Sequence, residues 1–335
     1  MREKTEKKRL AILRLLKEND KPLGSPEITE RLMAMGHDIS ERTVRFHLLA
    51  MDKAGFTENF GRRGRRITAP GQKELETARI IEKVGFLSAK IDQMTYRMNF
   101  DLAAKTGTVV INLSIIEKEK LKIAVPLIKR VFEEGYAMGE LLSLLGPGEH
   151  IGEIPVPEGM VGIGTVCSIT LNGVLLHHGI PTISRFGALL ELKEKKPLRF
   201  AEIINYDGTS LDPLEIFIRS GMTDYTGATI TGNGRIGAGF REVPGESRDQ
   251  VIELARKLEK IGLGGFMIIG WPGQPVLEIP VSEGQVGAVV IGGLNPVAIL
   301  EETGIRVHSR ALAGLTDYSN LFHYKEFDSR INRLN

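Results

Sequence analysis

The sequence has a single cysteine, Cys167, among 335 residues, so no internal disulfide framework and no cysteine-rich zinc site can be built from it. It also lacks long apolar runs. Stretches such as VGAVVIGGL are short and broken by glycine, well below the roughly 20 residues that span a bilayer. The N-terminal segment MREKTEKKRLAILRLLKEND is charged throughout and has no signal-peptide core, which predicts a cytoplasmic location. His177, His178 and His308 lack metal-ligand spacing, and no Ser-His-Asp, Cys-His or paired-acid constellation emerges, so neither a metal nor a catalytic residue is expected. GATITGNGRIGAG has glycines but no P-loop lysine and no Rossmann spacing; Asn233-Gly234 reads as a tight hairpin turn.

What is present is unevenly distributed. The length predicts two or three domains with ample apolar cores. Residues 1–66 carry 16 Lys/Arg against 10 Asp/Glu, net +6, while the remainder carries 28 against 32, net −4. A basic head on a mildly acidic body predicts that only the head meets a polyanion.

The head reads as three helices and a hairpin. Leu10, Ile12, Leu13, Leu15 and Leu16 form one broad apolar face of the first helix. Ser25 is predicted to cap the second, with Pro26 at its first position and its end at Gly36. Ser40 caps the third, in which Val44, Leu48 and Met51 turn inward. Arg42, Thr43, Arg45 and Phe46 then lie on the outer, N-terminal part, where a recognition helix meets base edges and phosphates. The following AGFTENFGRRGRRITAPG reads as two short strands around a tip bearing Arg62, Arg63, Arg65 and Arg66, suited to a phosphate backbone. Helix–helix–helix–hairpin is a winged helix-turn-helix. Protein contact or RNA binding by such a head stays open, although only Phe46 and Phe60 are at hand for stacking on single strands.

After a predicted helical connector over 71–95, YRMNFDL (96–102) and TVVINLSII read as the first hairpin of a second unit. In that unit one phrase is written twice. PVPEGMVG (155–162) returns as PVSEGQVG (280–287), an offset of 125, and Ser184-Arg185 returns as Ser309-Arg310 at the same offset. GMTDYT (221–226) answers GLTDYS (314–319) at an offset of 93, so the first copy carries an insertion of 32 residues. The fold class predicted is α+β with α/β character: a winged helix-turn-helix over 1–70, then a duplicated, two-lobed α/β domain with lobes at 96–232 and 233–325. A cleft between lobes suits a small ligand whose binding changes the geometry of an attached head. The duplication could instead supply only a larger core or a dimer interface.

Arg185 and Arg310, equivalent in the two copies, form a candidate clamp for a ligand with two carboxylates. Each could equally make a salt bridge within its own lobe or cap a helix. With Ser184, Ser309 and Cys167 they make up the candidate ligand-binding set, although Cys167 in an apolar strand reads more readily as a small core residue than as a nucleophile. The Asp224-Tyr225 and Asp317-Tyr318 pairs read as local turn and cap elements.

ISERTVRFHLLAMDKAGF, VGFLSAKIDQMTYRMNFDL, TVVINLSII and especially PVPEGMVGIGTVCSITLNGVLLHHGIPTISRFGALLE together resemble the archaeal nitrogen repressor family, NrpR. That resemblance implies a homodimeric, non-enzymatic repressor on an inverted-repeat operator in double-stranded DNA near nitrogen-assimilation genes. It further implies 2-oxoglutarate as the effector that weakens DNA binding. The readings beside it are a regulator of another small anionic metabolite, an enzyme acting on nucleic acid, and an assembly protein that does not bind DNA.

Overall fold

The computed structural model describes residues 2–331 except 20, 36, 38 and 83–85. The chain forms two units, Met1–Val84 and Gly85–Asn335.

The first unit contains α1 (Arg2–Lys17), α2 (Ser25–Ala34), α3 (Glu41–Lys53), β1 (Thr57–Asn59), β2 (Arg65–Ile67) and α4 (Ala69–Glu82). Ile12, Leu13, Leu16, Ile28, Leu32, Val44, Leu48 and Met51 are all buried and pack into one core, as their helical spacing requires. Ser40 caps α3: its Oγ accepts from the Thr43 amide at 3.3 Å. Ser25 does not cap α2. The cap position falls to Gly24, and Ser25, already inside the first turn beside Pro26, donates its hydroxyl to Glu41 at 3.1 Å. The expected end of this helix at Gly36 lies outside the described residues. β1 and β2 pair antiparallel, and Leu23 adds a bridge to Arg65. There Gly64 has φ 103° and a Cβ would lie 2.3 Å from the Leu23 backbone, so only glycine fits.

The second unit opens with α5 (Phe86–Arg97). The strand expected over 96–102 is absent. Tyr96 and Arg97 finish α5, and Asp101 accepts from the Ala103 and Ala104 amides, both at 2.8 Å, in a local turn that leaves only an isolated bridge to Thr106. Met98 and Phe100 are buried without a ladder.

The first copy then runs β3 (Thr108–Glu117), α6 (Leu121–Glu133), β4 (Leu141–Leu145), β5 (His150–Ile151), β6 (Ile154–Pro155), β7 (Met160–Val166), α7 (Ile169–His177) and β8 (Ile183–Lys193). The inserted segment contributes β9 (Lys196–Asn205) and α8 (Pro213–Arg219), and α9 (Tyr225–Thr231) follows. The second copy repeats the order with β10 (Gly234–Pro244), α10 (Arg248–Glu259), β11 (Phe266–Ile269), β12 (Gln285–Ile291), α11 (Asn295–Glu302) and β13 (His308–Asp317), followed by β14 (Phe322–His323) and α12 (Phe327–Ile331).

The duplicated phrase has a steric reason. Gly159 and Gly284, at φ 75° and 74°, turn the chain into β7 and β12. A Cβ on Gly162 or Gly287 would lie 2.8 or 2.7 Å from Val156 or Val281, so Pro-Val folds onto the strand only because glycine is there. The Gly-Ile pairs end the helices alike. Gly179 and Gly304 are left-handed, and the Ile180 and Ile305 amides each donate to the carbonyl five residues back, Leu175 and Leu300, at 2.9 Å.

The two lobes are not self-contained. The sheet orders are β13-β3-β7-β4-β14 and β11-β12-β10-β8-β9, so each copy sends its last strand into the sheet of the other. β8 pairs with β10, and β13 with β3, all antiparallel. The boundary drawn between 96–232 and 233–325 therefore cuts through both sheets. β9 forms an edge whose register to β8 is broken twice, the kind of bulging that discourages pairing with another chain.

Candidate nucleic-acid surface and candidate ligand cavity

On α3, Val44, His47, Leu48 and Met51 face inward. Burial, with Arg9 and Lys8 nearby, holds His47 below its usual value, which keeps the imidazole neutral within the core. Arg42, Arg45 and Phe46 are exposed and Thr43 is half-buried on the opposite side. Arg45 is oriented: it pairs with Glu41 at 2.6 Å and donates to Ser25 Oγ at 3.2 Å.

The hairpin separates its arginines. Arg62 and Arg63 stand exposed at the tip, Arg63 against the Phe60 ring at 5.9 Å, and Arg66 is exposed opposite Glu58. Arg65 is different. It is half-buried and pairs with Asp52 at 2.8 Å, while Asp52 also accepts from Thr57 at 2.5 Å. Arg65 thus ties the hairpin to α3, a partner 13 residues away that periodicity does not reveal.

The candidate ligand residues fall into two groups. Arg185 and Arg310 are held by separate carboxylates, Arg185 by Glu242 at 2.6 Å and Arg310 by Glu215 at 3.8 Å, and their strands lie in different sheets. Ser309 shares a hydrogen bond with Ser114 at 2.8 Å. Cys167 and Ser184, by contrast, border one polar cluster. Cys167 lines a cavity of about 20 Å³ with Asn112, Ser168, Tyr206, Asp212 and Gly293, and burial pushes its thiol up to about 12, which makes it inert as a nucleophile at neutral pH. Ser184 accepts from Asn172 at 2.9 Å, and Asn172 Oδ1 in turn accepts from Arg241 Nε at 3.2 Å.

Arg241, Asn172 and Ser168 carry no signal in the composition. Arg241 is 1% exposed, and its guanidinium also donates to Phe240 O at 3.1 Å and to Ser168 Oγ at 3.3 Å, 5.5 Å from the Tyr206 ring centre. Asp212 sits on the far wall as the cap of α8, accepting from Leu214 at 2.9 Å; burial, and then the neighbouring Glu215, push its carboxyl up to about 6. The cavity is water-sized as it stands. A dicarboxylate enters only if its walls part. Asp224 and Asp317 are caps, accepting from Gly227 at 2.8 Å and Ser319 at 2.9 Å, and no group of acidic, His or Cys side chains able to hold a metal occurs among the described residues.

A winged helix-turn-helix and a duplicated α/β unit that encloses a small polar cavity are the two parts of the chain, an architecture found in nitrogen regulators. Residues 84–323 match the family described as NrpR regulatory domains NRD1 and 2, and residues 10–75 match the ribonuclease R winged-helix domain. The global nitrogen regulator NrpRI of Methanosarcina mazei is 35% identical over 316 residues, covering 94% of this chain and 97% of that protein. The global nitrogen regulator NrpR of Methanococcus maripaludis is 31% identical over 92% of this chain, which spans about half of that longer protein (54%). A crystal structure of a nitrogen repressor-like protein from Methanococcus jannaschii superposes with a TM-score of 0.60 at 28% identity, covering 70% of this chain and 97% of that one. The chain belongs to the NrpR family. No helix among the described residues is long and apolar enough to cross a membrane.

Proposed function

We propose that this protein is a transcriptional repressor of nitrogen-assimilation genes that binds an inverted-repeat operator in double-stranded DNA as a homodimer and is released from it by 2-oxoglutarate. The observation that carries the reading is the head: an exposed Arg42-Arg45-Phe46 face on α3 beside the Arg62-Arg63 tip, in a segment of net +6, within a family whose relatives are named global nitrogen regulators. Arg45 reads base edges or phosphates, and Arg62 and Arg63 follow the backbone. Release requires that the effector bind the DNA-incompetent conformation more tightly, with a reciprocal coupling of about 1–3 kcal/mol.

The test is a pair of titrations on the full chain. Operator binding falls with salt, and Arg45→Ala weakens it by tenfold or more while leaving 2-oxoglutarate affinity unchanged; operator binding by Arg45→Ala as tight as that of the parent sinks the recognition-helix assignment. Calorimetry with 2-oxoglutarate, glutamate and succinate then asks for selective binding of the keto acid. The likeness of residues 10–75 to a ribonuclease winged helix favours RNA as the second reading. Duplex RNA competing as well as operator DNA would establish it.

A further inference from the structure

The geometry points to Arg241 as the carboxylate-binding residue of a ligand site at the centre of the second unit, closed over by the segment inserted into the first copy. The inference deepens the effector reading above and rests on it for the identity of the ligand, though not for the ligand's chemical class.

Arg241 is the one arginine among the described residues that is fully buried, and no carboxylate approaches it within the 4.0 Å of an ion pair. Its partners are neutral: Asn172, Ser168, a carbonyl and an aromatic ring. A guanidinium has five donors. Three find oxygen here. A buried cation without a counterion is costly to keep, and the fold nonetheless makes room for it, since a Cβ on Gly239 would lie 2.9 Å from Arg241 Nη1. By contrast, the partly exposed Arg185 and Arg310 of the same unit each have a glutamate.

The surroundings suit an incoming anion. Ser168, which accepts from Arg241 and caps no amide, stands at the start of α7 and lines the cavity. Asn112 lines the same cavity. The walls facing them are Tyr206 and Asp212 of the inserted segment. Asp212 lines this wall without coming within ion-pair distance of Arg241, so a ligand carboxylate that displaces the wall gives Arg241 a direct charge partner. The chemical class is therefore a small carboxylate, bound bidentately, whose entry lifts the inserted segment.

The experiment is calorimetry on the full chain and on Arg241→Gln, Arg241→Lys and Ser168→Ala, each first with 2-oxoglutarate and then with succinate, pyruvate and acetate. Thermal melts confirm that every variant folds. The expected result is a loss of tenfold or more in affinity in Arg241→Gln, a smaller loss in Arg241→Lys, and a few-fold loss in Ser168→Ala. Wild-type affinity within twofold in the arginine variants overturns the inference and leaves the effector reading standing. If the parent ignores 2-oxoglutarate but binds another carboxylate, and Arg241→Gln loses it, the inference stands and the nitrogen reading falls. A parent that binds none of the four overturns both. Should Arg241→Gln not fold, Arg241→Lys and Ser168→Ala decide, and unchanged affinity in both overturns the inference.

Discussion

The two copies of the repeat share a backbone and differ in what they place at its centre. β7 and β12 correspond at an offset of 125 at both ends, and the ladder partners show which residues occupy equal positions. Ile163 faces Ser114, and its counterpart Ala288 faces Arg241; across the exchanged strands Ser309 faces Ser114 and Ser184 faces Arg241. Arg241 is thus the structural mate of Ser114. Where one sheet holds a closed Ser114–Ser309 hydrogen bond, the other holds a buried guanidinium bridged to Ser184 through Asn172. The counterparts of Asn172 and Ser168 are Val297 and Gly293, which offer no side-chain acceptor. Duplication supplied the scaffold, and only one half of it was given a charge.

The sharpest way to break this comparison is to write the second copy's residue into the first. Ser114→Arg buries a guanidinium at a fully buried position whose one side-chain hydrogen-bond partner is Ser309, and is expected to destabilise the unit by about 3–5 kcal/mol in denaturant unfolding. A cost below about 1 kcal/mol would mean that the two positions are interchangeable and that Arg241 has no special environment.

The inserted segment, present in one copy only, gives the next contrast. Asp212 has a folded-state value of about 6, above the ordinary carboxylate range, so its contribution favours folding below about pH 4 and is lost as pH rises through 6. Asp212→Asn keeps a good helix cap and does not titrate. The variant should therefore gain about 1–2 kcal/mol on the parent between pH 4 and pH 7, read as a difference in melting temperature that grows with pH. A difference that stays flat across this range would place Asp212 in solvent.

Much of this was readable from residues alone, and the failures have physical causes. Ser40, the inward face of α3 and the Asp224 and Asp317 caps depend on neighbours within four residues, and local spacing reveals them. Strand exchange does not show in the pattern, because β8 carries the same apolar residues whichever sheet receives it. Arg65 reads as one of four equal arginines until Asp52 is seen beside it. Arg241 escaped because textual alignment at 125 sets it against Ile116, and only the ladder reveals the two-residue shift that makes Ser114 its mate.

Where the copies agree, equal substitutions should have equal effects, and this is the gentlest test. Gly179 and Gly304 end α7 and α11 at φ 75° and 80°, and a Cβ on either would meet nothing within 4 Å. The cost of Gly179→Ala or Gly304→Ala is therefore purely that of the left-handed backbone, about 1 kcal/mol each. The Ile180 and Ile305 amides make the same 2.9 Å bond to the preceding turn, and both isoleucines are buried, so neither site has slack that the other lacks. Two single-variant melts check it. Matching losses would show that the exchanged strands leave their helices under the same constraint, and a loss at only one would show that the duplication has already diverged at the joints as well as at the centre.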